Sequence, residues 1–295
     1  MKERRAEYLR ADLQSKWATW TLLAGTLLFL IEGASMGSWR VIVGGTALTA
    51  GVVLAIAYFR ARSRAATDFF SELAPQLGLT YSPRGHWVEI TPLLAAGDRR
   101  RYDHALEGPL FGQAGGGPCM LAHYTYERQH QVGAAAGYVN ELAEDASVYQ
   151  PHRFTVCAVD VGSPLWRFRG LYLQPRKSGI GLSHNWLSRA PQFEQVELES
   201  VRFNEIYDLR RANDQDESAV RELFSPSLVA WLAEHPLQPG FECKAGTLVV
   251  YIHGHADSVG GITMLHEATR EIARRLAHQL EESGGVAYFS AAERA

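Results

Sequence analysis

The sequence predicts an α+β protein in which an N-terminal transmembrane helical hairpin precedes a mixed, mainly antiparallel-sheet domain with a long C-terminal helix. Two apolar runs lie near the N-terminus, at 17–31 and 41–59, and the second has 19 residues without a charge. At about 1.5 Å per residue, such a run crosses a hydrocarbon core of roughly 30 Å. After residue 64, short β-rich segments mingle with a few helices, without the regular alternation that predicts a parallel sheet.

The first apolar run is a membrane span only if Glu32 lies near the headgroups and the helix continues to about Met36. Amphipathic rings favour the membrane interfaces, and four of them lie at the ends of the two runs: Trp17, Trp20, Trp39 and Tyr58. Small residues four apart in the second run would allow close helix packing or a homo-oligomer: Gly45 with Thr49, and Ala47 with Gly51. The expected organisation is a basic leader (1–16), a hairpin (17–59, helices at about 17–36 and 41–59) and a domain (60–295).

Basic residues lie at the outer ends of the two runs, which a hairpin places on the same side of a membrane. Basic residues precede the first run and follow the second, whereas the connecting loop carries only Arg40: the flanking set is Lys2, Arg4, Arg5, Arg10, Lys16, Arg60, Arg62 and Arg64. Lys and Arg near span ends stay in the cytoplasm, so the charges predict a multi-pass inner-membrane protein with both termini cytoplasmic. An alternative makes the first run a signal peptide cleaved at Gly33-Ala34-Ser35, and the second span would still leave the C-terminal domain inside.

The part of the chain after residue 64 is acidic. Of the 29 Lys and Arg, nine lie in residues 1–64, against four of the 32 Asp and Glu, which leaves a net charge of about −8 for the remainder. An acidic domain is repelled by anionic lipid and binds nucleic acid poorly, because phosphate contacts supply most of that affinity. Cys119, Cys157 and Cys243 form no Cys-x-x-Cys pair, which predicts unpaired buried thiols in a reducing compartment.

Hydrophobic periodicity and turn residues predict the elements of the domain. A short helix is expected at 65–77, followed by strands at 119–126, 153–161, 170–174, 196–202 and 203–209, with a mobile excursion at 131–150. Helices are expected from Asp216 to Phe224 and over 226–234, where Ser225 is a favourable cap. A hairpin (241–244 and 247–253) and a long helix that is capped by Asp257 or Ser258 and ends at Glu282 complete the chain.

Three C-terminal segments carry a family resemblance. They read ESVRFNEIYDL at 199–209, LFSPSLVAWL at 223–232 and GTLVVYI at 246–252, and an aromatic-led FFSELAPQLGLTY at 69–81 follows the helix pair. This order resembles bacterial two-helix membrane proteins catalogued as domain of unknown function 3137, best over residues 199–282. The resemblance implies the same architecture, and it brings no established activity, cofactor or catalytic residue.

The densest group of potential metal ligands is His253-Gly-His255-Ala-Asp257, with His266 on the helix that follows. A His-x-His pair at a strand end can bind a divalent metal such as zinc, and a helical His can complete a tetrahedral set. The chain has neither a His-Glu-x-x-His motif nor a second ligand pair at set spacing. Ordinary loop chemistry, with Asp257 as a helix cap, explains the same residues without a cofactor.

Without a catalytic motif, the sequence favours a binding or assembly module held at the lipid bilayer, acting through small-ligand binding or an unidentified membrane or cytoplasmic protein, and not through nucleic acid. A patch of exposed aromatic residues is the surface expected for a protein partner. Two alternatives stay open. One is a membrane-tethered metal-dependent enzyme that uses His253 and His255, and the other is a reader of lipid headgroups.

Overall fold

The computed structural model describes residues 2–111, 117–131, 147–162, 169–176 and 193–282. The chain divides into two compact units, Met1–Leu73 and Ala74–Ala295. Within the described residues, two helices are long and apolar enough to cross a membrane by length and composition: α2 (Lys16–Ser35) and α3 (Trp39–Gln76). In the most apolar 18-residue stretch of each helix, the buried share is 11% for α2 and 17% for α3. The core helix of a soluble protein is, in contrast, mostly buried.

α2 and α3 pack as an antiparallel helical hairpin. Three contacts set a glycine of one helix so closely against a side chain of the other that an added Cβ would overlap it: Gly25 with Thr49, Gly45 with Phe29, and Gly33 with Ile42. The predicted close packing at Gly45 and Thr49 is therefore confirmed. Gly44 and Gly51 have nothing within 4 Å of an added Cβ, so this second face of α3 makes no such contact.

A further helix, α1 (Lys2–Leu13), continues the hairpin with polar contacts to the last turns of α3. Three pairs advance by four residues on both helices: Arg4 with Glu72 at 2.6 Å, the Tyr8 hydroxyl donating to Asp68, and Arg64 with Asp12 at 2.8 Å. Because side chains four apart share a helix face, the pairs form one antiparallel ladder. The charge pattern of the leader did not lead us to predict this helix.

The prediction of a separate helix at 65–77 is wrong, because these residues belong to α3, which runs unbroken from Trp39 to Gln76. Neither Gly nor Pro occurs between Gly51 and Pro75, so the arginines that follow the apolar run add charge without ending the helix. Gly78, with φ of 69°, follows the helix in the left-handed conformation that commonly ends a helix.

The second unit is built on a nine-stranded sheet in the order β1-β2-β3-β4-β9-β8-β5-β7-β6. Each described pairing is antiparallel, so the expected mixed sheet is antiparallel throughout its described part. The strands are β1 (Thr80–Arg84), β2 (Arg99–Pro109), β3 (Pro118–Gln131), β4 (Ser147–Asp160), β5 (Leu171–Pro175), β6 (Phe193–Val196), β7 (Tyr207–Ala212), β8 (Gly240–Lys244) and β9 (Thr247–His253). The excursion predicted at 131–150 falls mainly on 132–146, which lie outside the described residues.

In the described part of the second unit, four helices accompany the sheet: α4 (Val201–Ile206), α5 (Glu217–Leu223), α6 (Pro226–Glu234) and α7 (Val259–Glu282). The strand predicted at 203–209 is wrong, because helix α4 precedes the short strand β7 there, and the strand predicted at 196–202 ends at Val196. The Ser200 hydroxyl accepts from the N–H of Phe203 and caps α4, and the Asn204 side chain bonds both backbone groups of Leu198. These local bonds favour a helix over the β propensity of the segment.

Different segments of the chain pack on the two faces of the sheet. On one face, the segment 85–98 packs over a core that includes Tyr124, Phe154 and Tyr251. Buried Glu242 holds this segment, because its Oε2 accepts from the N–H of Leu93 at 2.9 Å. On the other face lies α7, whose apolar side chains at helical spacing are buried: Leu265, Ile272, Leu276 and Leu280.

All three cysteines are free and buried, as predicted. The Sγ atoms of Cys119 and Cys157 nevertheless lie 3.6 Å apart, on neighbouring strands. The two residues are a diagonal pair, since Cys119 faces Val159 and Cys157 faces Leu121. Diagonal neighbours have Cα atoms about 7–8 Å apart, which is too far for an unstrained disulfide. Contact with Cys157 and burial raise the pKa of Cys119, which keeps this thiol protonated.

Candidate functional site

The structure separates the two histidines of the predicted metal site. His253 is exposed at the end of β9, with its ring 4.9 Å from that of Phe154, on the face covered by segment 85–98. His255 lies on the opposite face, stacked on His123 with ring centroids 4.3 Å apart and planes 9° apart. Gly254 between them has φ of 83°, a left-handed turn that lets the chain cross the end of the sheet.

The two stacked histidines fasten the loop between β9 and α7. The Nε2 of His123 lies 2.8 Å from the carbonyl oxygen of Ala256, so this nitrogen carries the proton and donates it. The Nε2 of His255 lies 3.3 Å from the carbonyl oxygen of Tyr124 and 3.1 Å from the Oγ1 of Thr125. Both rings therefore connect the loop to β3.

Thr155 on β4 also holds this loop, through hydrogen bonds of its side chain. Its buried hydroxyl donates to the carbonyl of Gly254 at 2.9 Å and accepts from the N–H of Ala256 at 2.8 Å. The N–H of Gly254 also donates to the carbonyl of Arg153 at 2.8 Å. The loop that carries the His-x-His pair is thus bound to two strands of the sheet before α7 begins.

The other two predicted ligands lie apart from this loop contact. Asp257 is exposed, and the cap of α7 is Ser258, whose Oγ accepts from the N–H of Gly261 at 3.2 Å. His266 is buried on α7, and its Nε2 has no hydrogen-bond partner among the described residues. Burial, followed by the nearby Arg270, lowers the pKa of His266 to about 4.

No group of three or more His, Cys, Asp or Glu side chains is placed to hold a metal ion in the described part of the chain. The metal site at His253, His255, Asp257 and His266 stays a prediction. Elemental analysis of the purified chain tests it, because such a site requires about one zinc, iron or manganese ion per chain.

We expect stability to fall as the pH falls below about 6.5. Burial, and next the neighbouring His255, lower the pKa of His123 to about 3, and the pKa of His266 is about 4. Because the unfolded chain binds these protons near pH 6.5, the stabilisation is complete above that pH and is lost as the pH falls toward 4 and then 3. Each group contributes up to about 1.4 kcal/mol per pH unit in that window.

The measurement is the free energy of unfolding between pH 7 and pH 5, where most carboxylates stay ionised. His266→Leu is expected to reduce the slope of stability against pH. An unchanged slope in this variant would contradict the assignment to His266.

A row of tyrosine and histidine rings extends from β1 to this loop, and the sequence analysis did not predict it. Tyr81 of β1 contacts the Nδ1 of His104 through its hydroxyl at 3.0 Å, and the ring of His104 meets the ring of His123 edge-on at 6.1 Å. His104 has φ of 53° at the irregularity of β2, an unusual conformation that no sequence motif announces. The row consists of Tyr81, His104, His123 and His255.

A pocket of about 380 Å³ lies between α6 and α7. Its walls contain an aromatic pair and a charged helix face: Trp231, His235, Glu267, Ala268, Arg270, Glu271 and Arg274. The rings of Trp231 and His235 have centroids 4.7 Å apart. The sequence offers the spacing of Arg270 and Arg274, one helical turn apart, but nothing in it predicts that Trp231 faces them.

A second pocket of about 540 Å³ lies beside α5 and α6, between Leu198, Arg221, Phe224 and Val229. Apart from these pockets, the large exposed hydrophobic side chains in the described part of the second unit are Val88, Val201 and Val259. None is aromatic, so the aromatic patch expected for a protein partner is not found among the described residues. Trp166, Phe168 and Trp186 lie outside them.

Comparison with known proteins leaves the family open. No family model matches the chain, and no curated protein matches it. Among solved structures, the chain is similar to the crystal structure of the mycobacterial trehalose monomycolate transport factor A, TtfA, with 10% identity and a TM-score of 0.43. The match covers 74% of this chain and 94% of that chain. A likeness of this size carries no argument about function.

Proposed function

We propose that this chain is an integral protein of the bacterial inner membrane whose cytoplasmic domain, residues 60–295, binds a small ligand. In this proposal, α2 and α3 cross the bilayer as a hairpin, both termini lie in the cytoplasm, and the chain is related to the two-helix proteins of domain of unknown function 3137. The pocket between α6 and α7 is the binding site.

The ladder between α1 and α3 is the observation that carries the topology. Arg4, Tyr8 and Asp12 contact side chains of α3 that follow its apolar segment. Charged partners on both helices are stable in water and costly in hydrocarbon, so the ladder requires both segments on the same side of the bilayer. Two spans in series satisfy this requirement, and the flanking arginines select the cytoplasmic side.

The described surface favours a small ligand over a protein partner. The second unit lacks an exposed aromatic patch among its described residues, while the α6–α7 pocket brings ionisable and aromatic side chains together. Pockets of 300–1,000 Å³ with a few convergent polar groups are typical of small-molecule sites. The pocket volume of about 380 Å³ lies in this range.

Reporter fusions and membrane extraction test the membrane part of the proposal. We expect the full chain to stay in the membrane pellet after an alkaline carbonate wash, and a fluorescent protein fused after Ala295 to be active in the cytoplasm. A matched fusion of alkaline phosphatase after Gly37, in the loop between α2 and α3, should be active outside. The intact mass should include residue 1, which separates the hairpin from a cleaved signal peptide.

Two results would contradict the proposal. One is release of the full chain by carbonate, and the other is alkaline phosphatase activity from a fusion after Ala295. Loss of residues 1–35 from the mature protein would leave one span and remove the ladder.

A further inference from the structure

Among the described side chains that line the α6–α7 pocket, hydrogen-bond donors outnumber the acceptors that are not already bonded. Both oxygens of Glu271 are occupied, because Oε2 accepts from Arg274 at 2.8 Å and Oε1 from Arg275 at 2.6 Å. The Nδ1 of His235 accepts from the N–H of Leu237 at 3.3 Å, so the proton of this ring is on Nε2 and points away from that bond.

Arg270 is the arginine of this pocket that forms no ion pair with a described residue. It has no carboxylate within ion-pair distance in the described part of the chain, and its guanidinium lies 5.6 Å from the ring centroid of Phe111. The Nε atoms of Arg270 and Arg274 are both buried without a hydrogen-bond partner among the described residues. Native proteins seldom leave such donors unsatisfied.

The two arginines are arranged to hold one anion. They lie four residues apart on α7, so their side chains leave the same face of the helix. Guanidinium groups bind the oxygens of phosphate or carboxylate through several N–H donors at once. Trp231 and His235 line the same pocket. Arg275 also lies against the indole of Trp231, with its Cζ 5.6 Å from the ring centroid.

We propose that the α6–α7 pocket binds a phosphate group, held by Arg270 and Arg274 and bounded by Trp231 and His235. This inference deepens the proposed function, on which it rests, by naming the ligand class of its binding site. Glu267 is exposed at the rim of the pocket without an ion-pair partner among the described residues, and its charge opposes the anion. The phosphate is either free or part of a lipid headgroup, and the chemistry that recognises it is the same.

The test is calorimetric titration of the full chain in a non-ionic detergent with inorganic phosphate, against sodium chloride at equal ionic strength. We expect one phosphate per chain, and at least tenfold weaker binding in Arg270→Gln and in Arg274→Gln. Arg221→Gln, which removes an exposed arginine of α5 outside this pocket, is the matched control and should change the affinity less than twofold.

Glu267→Gln provides a second readout that does not depend on the arginine variants folding. Removing the opposing charge at an exposed position should tighten phosphate binding several-fold. Weaker binding in this variant would overturn the proposal, because it would mean that the ligand presents a positive group to Glu267. The absence of phosphate binding by the wild type, or equal affinity in Arg270→Gln, would overturn it as well.

Phosphatidic acid and phosphatidylcholine, each added to the detergent micelles, distinguish the two sources of phosphate. Competition by phosphatidic acid alone identifies a headgroup phosphate, and the absence of competition identifies a free one. Failure of phosphate binding leaves the carbonate wash and the reporter fusions unaffected, so this inference and the membrane topology can fail separately.

Discussion

Gly45→Val is expected to disrupt the helical hairpin. A Cβ at this position would overlap the ring of Phe29, near its attachment point, where rotation of the side chain gives little relief. Overpacking of this kind costs about 1–3 kcal/mol. For the membrane spans proposed above, no hydrophobic gain would compensate for lost packing between the helices. We expect a clear fall in the thermal midpoint of the full chain in detergent, followed by tryptophan fluorescence.

Gly44→Val is the matched control for this variant. It makes the same substitution one residue earlier in α3, where an added Cβ has nothing within 4 Å. The effect of valine on helix propensity is common to both variants and cancels in the comparison. Equal midpoints for the two variants would mean that α2 does not pack on the Gly45 face of α3.

Thr155→Val should destabilise the second unit by about 1–3 kcal/mol, the cost of buried polar groups that lose their partner. The substitution keeps the shape of the side chain and removes the hydroxyl that bonds both Gly254 and Ala256. The carbonyl and the N–H of these residues then lack that partner. The free energy of unfolding measured with denaturant gives the size of the effect.

Thr91→Val makes the same change at an equally buried threonine. The Oγ1 of Thr91 has no hydrogen-bond partner among the described residues, so its replacement is expected to be neutral or stabilising. If both variants lose the same stability, the hydroxyl of Thr155 does not fasten the loop. If Thr155→Val is neutral, the stacked histidines and the bond from Gly254 to Arg153 are sufficient to hold the loop.

The elements that sequence reasoning found have strong local signals. Ser225-Pro226 begins α6 as expected, because the Ser225 hydroxyl accepts from the N–H of Leu228 and proline fits the first turn. The β8–β9 hairpin turns at Ala245 and Gly246, both with positive φ, as predicted from the glycine. α7 was predicted from the spacing of its apolar side chains, which needs no knowledge of the sheet.

The contacts of the candidate sites depend on neighbours that the sequence does not reveal. His123 and His255 meet because β3, β4 and β9 are adjacent in one register, and Trp231 meets Arg270 and Arg274 only through the packing of α6 on α7. The ladder of α1 is different, because matched polar residues recur every four positions in 4–12 and in 64–72. Comparing these two stretches would have predicted that they pair.

The position of the β8–β9 hairpin determines when this protein can finish folding. β9 pairs with β4 and β8 pairs with β5, so this hairpin, which leaves the ribosome after β1–β7, joins the two earlier parts of the sheet. The apolar helices, in contrast, emerge before the strands of the sheet. A nascent chain therefore exposes the unpaired edge of β4 until residue 253 has been synthesised, and such edges are sites of aggregation. Truncation before β8 should produce an insoluble chain rather than a smaller folded domain.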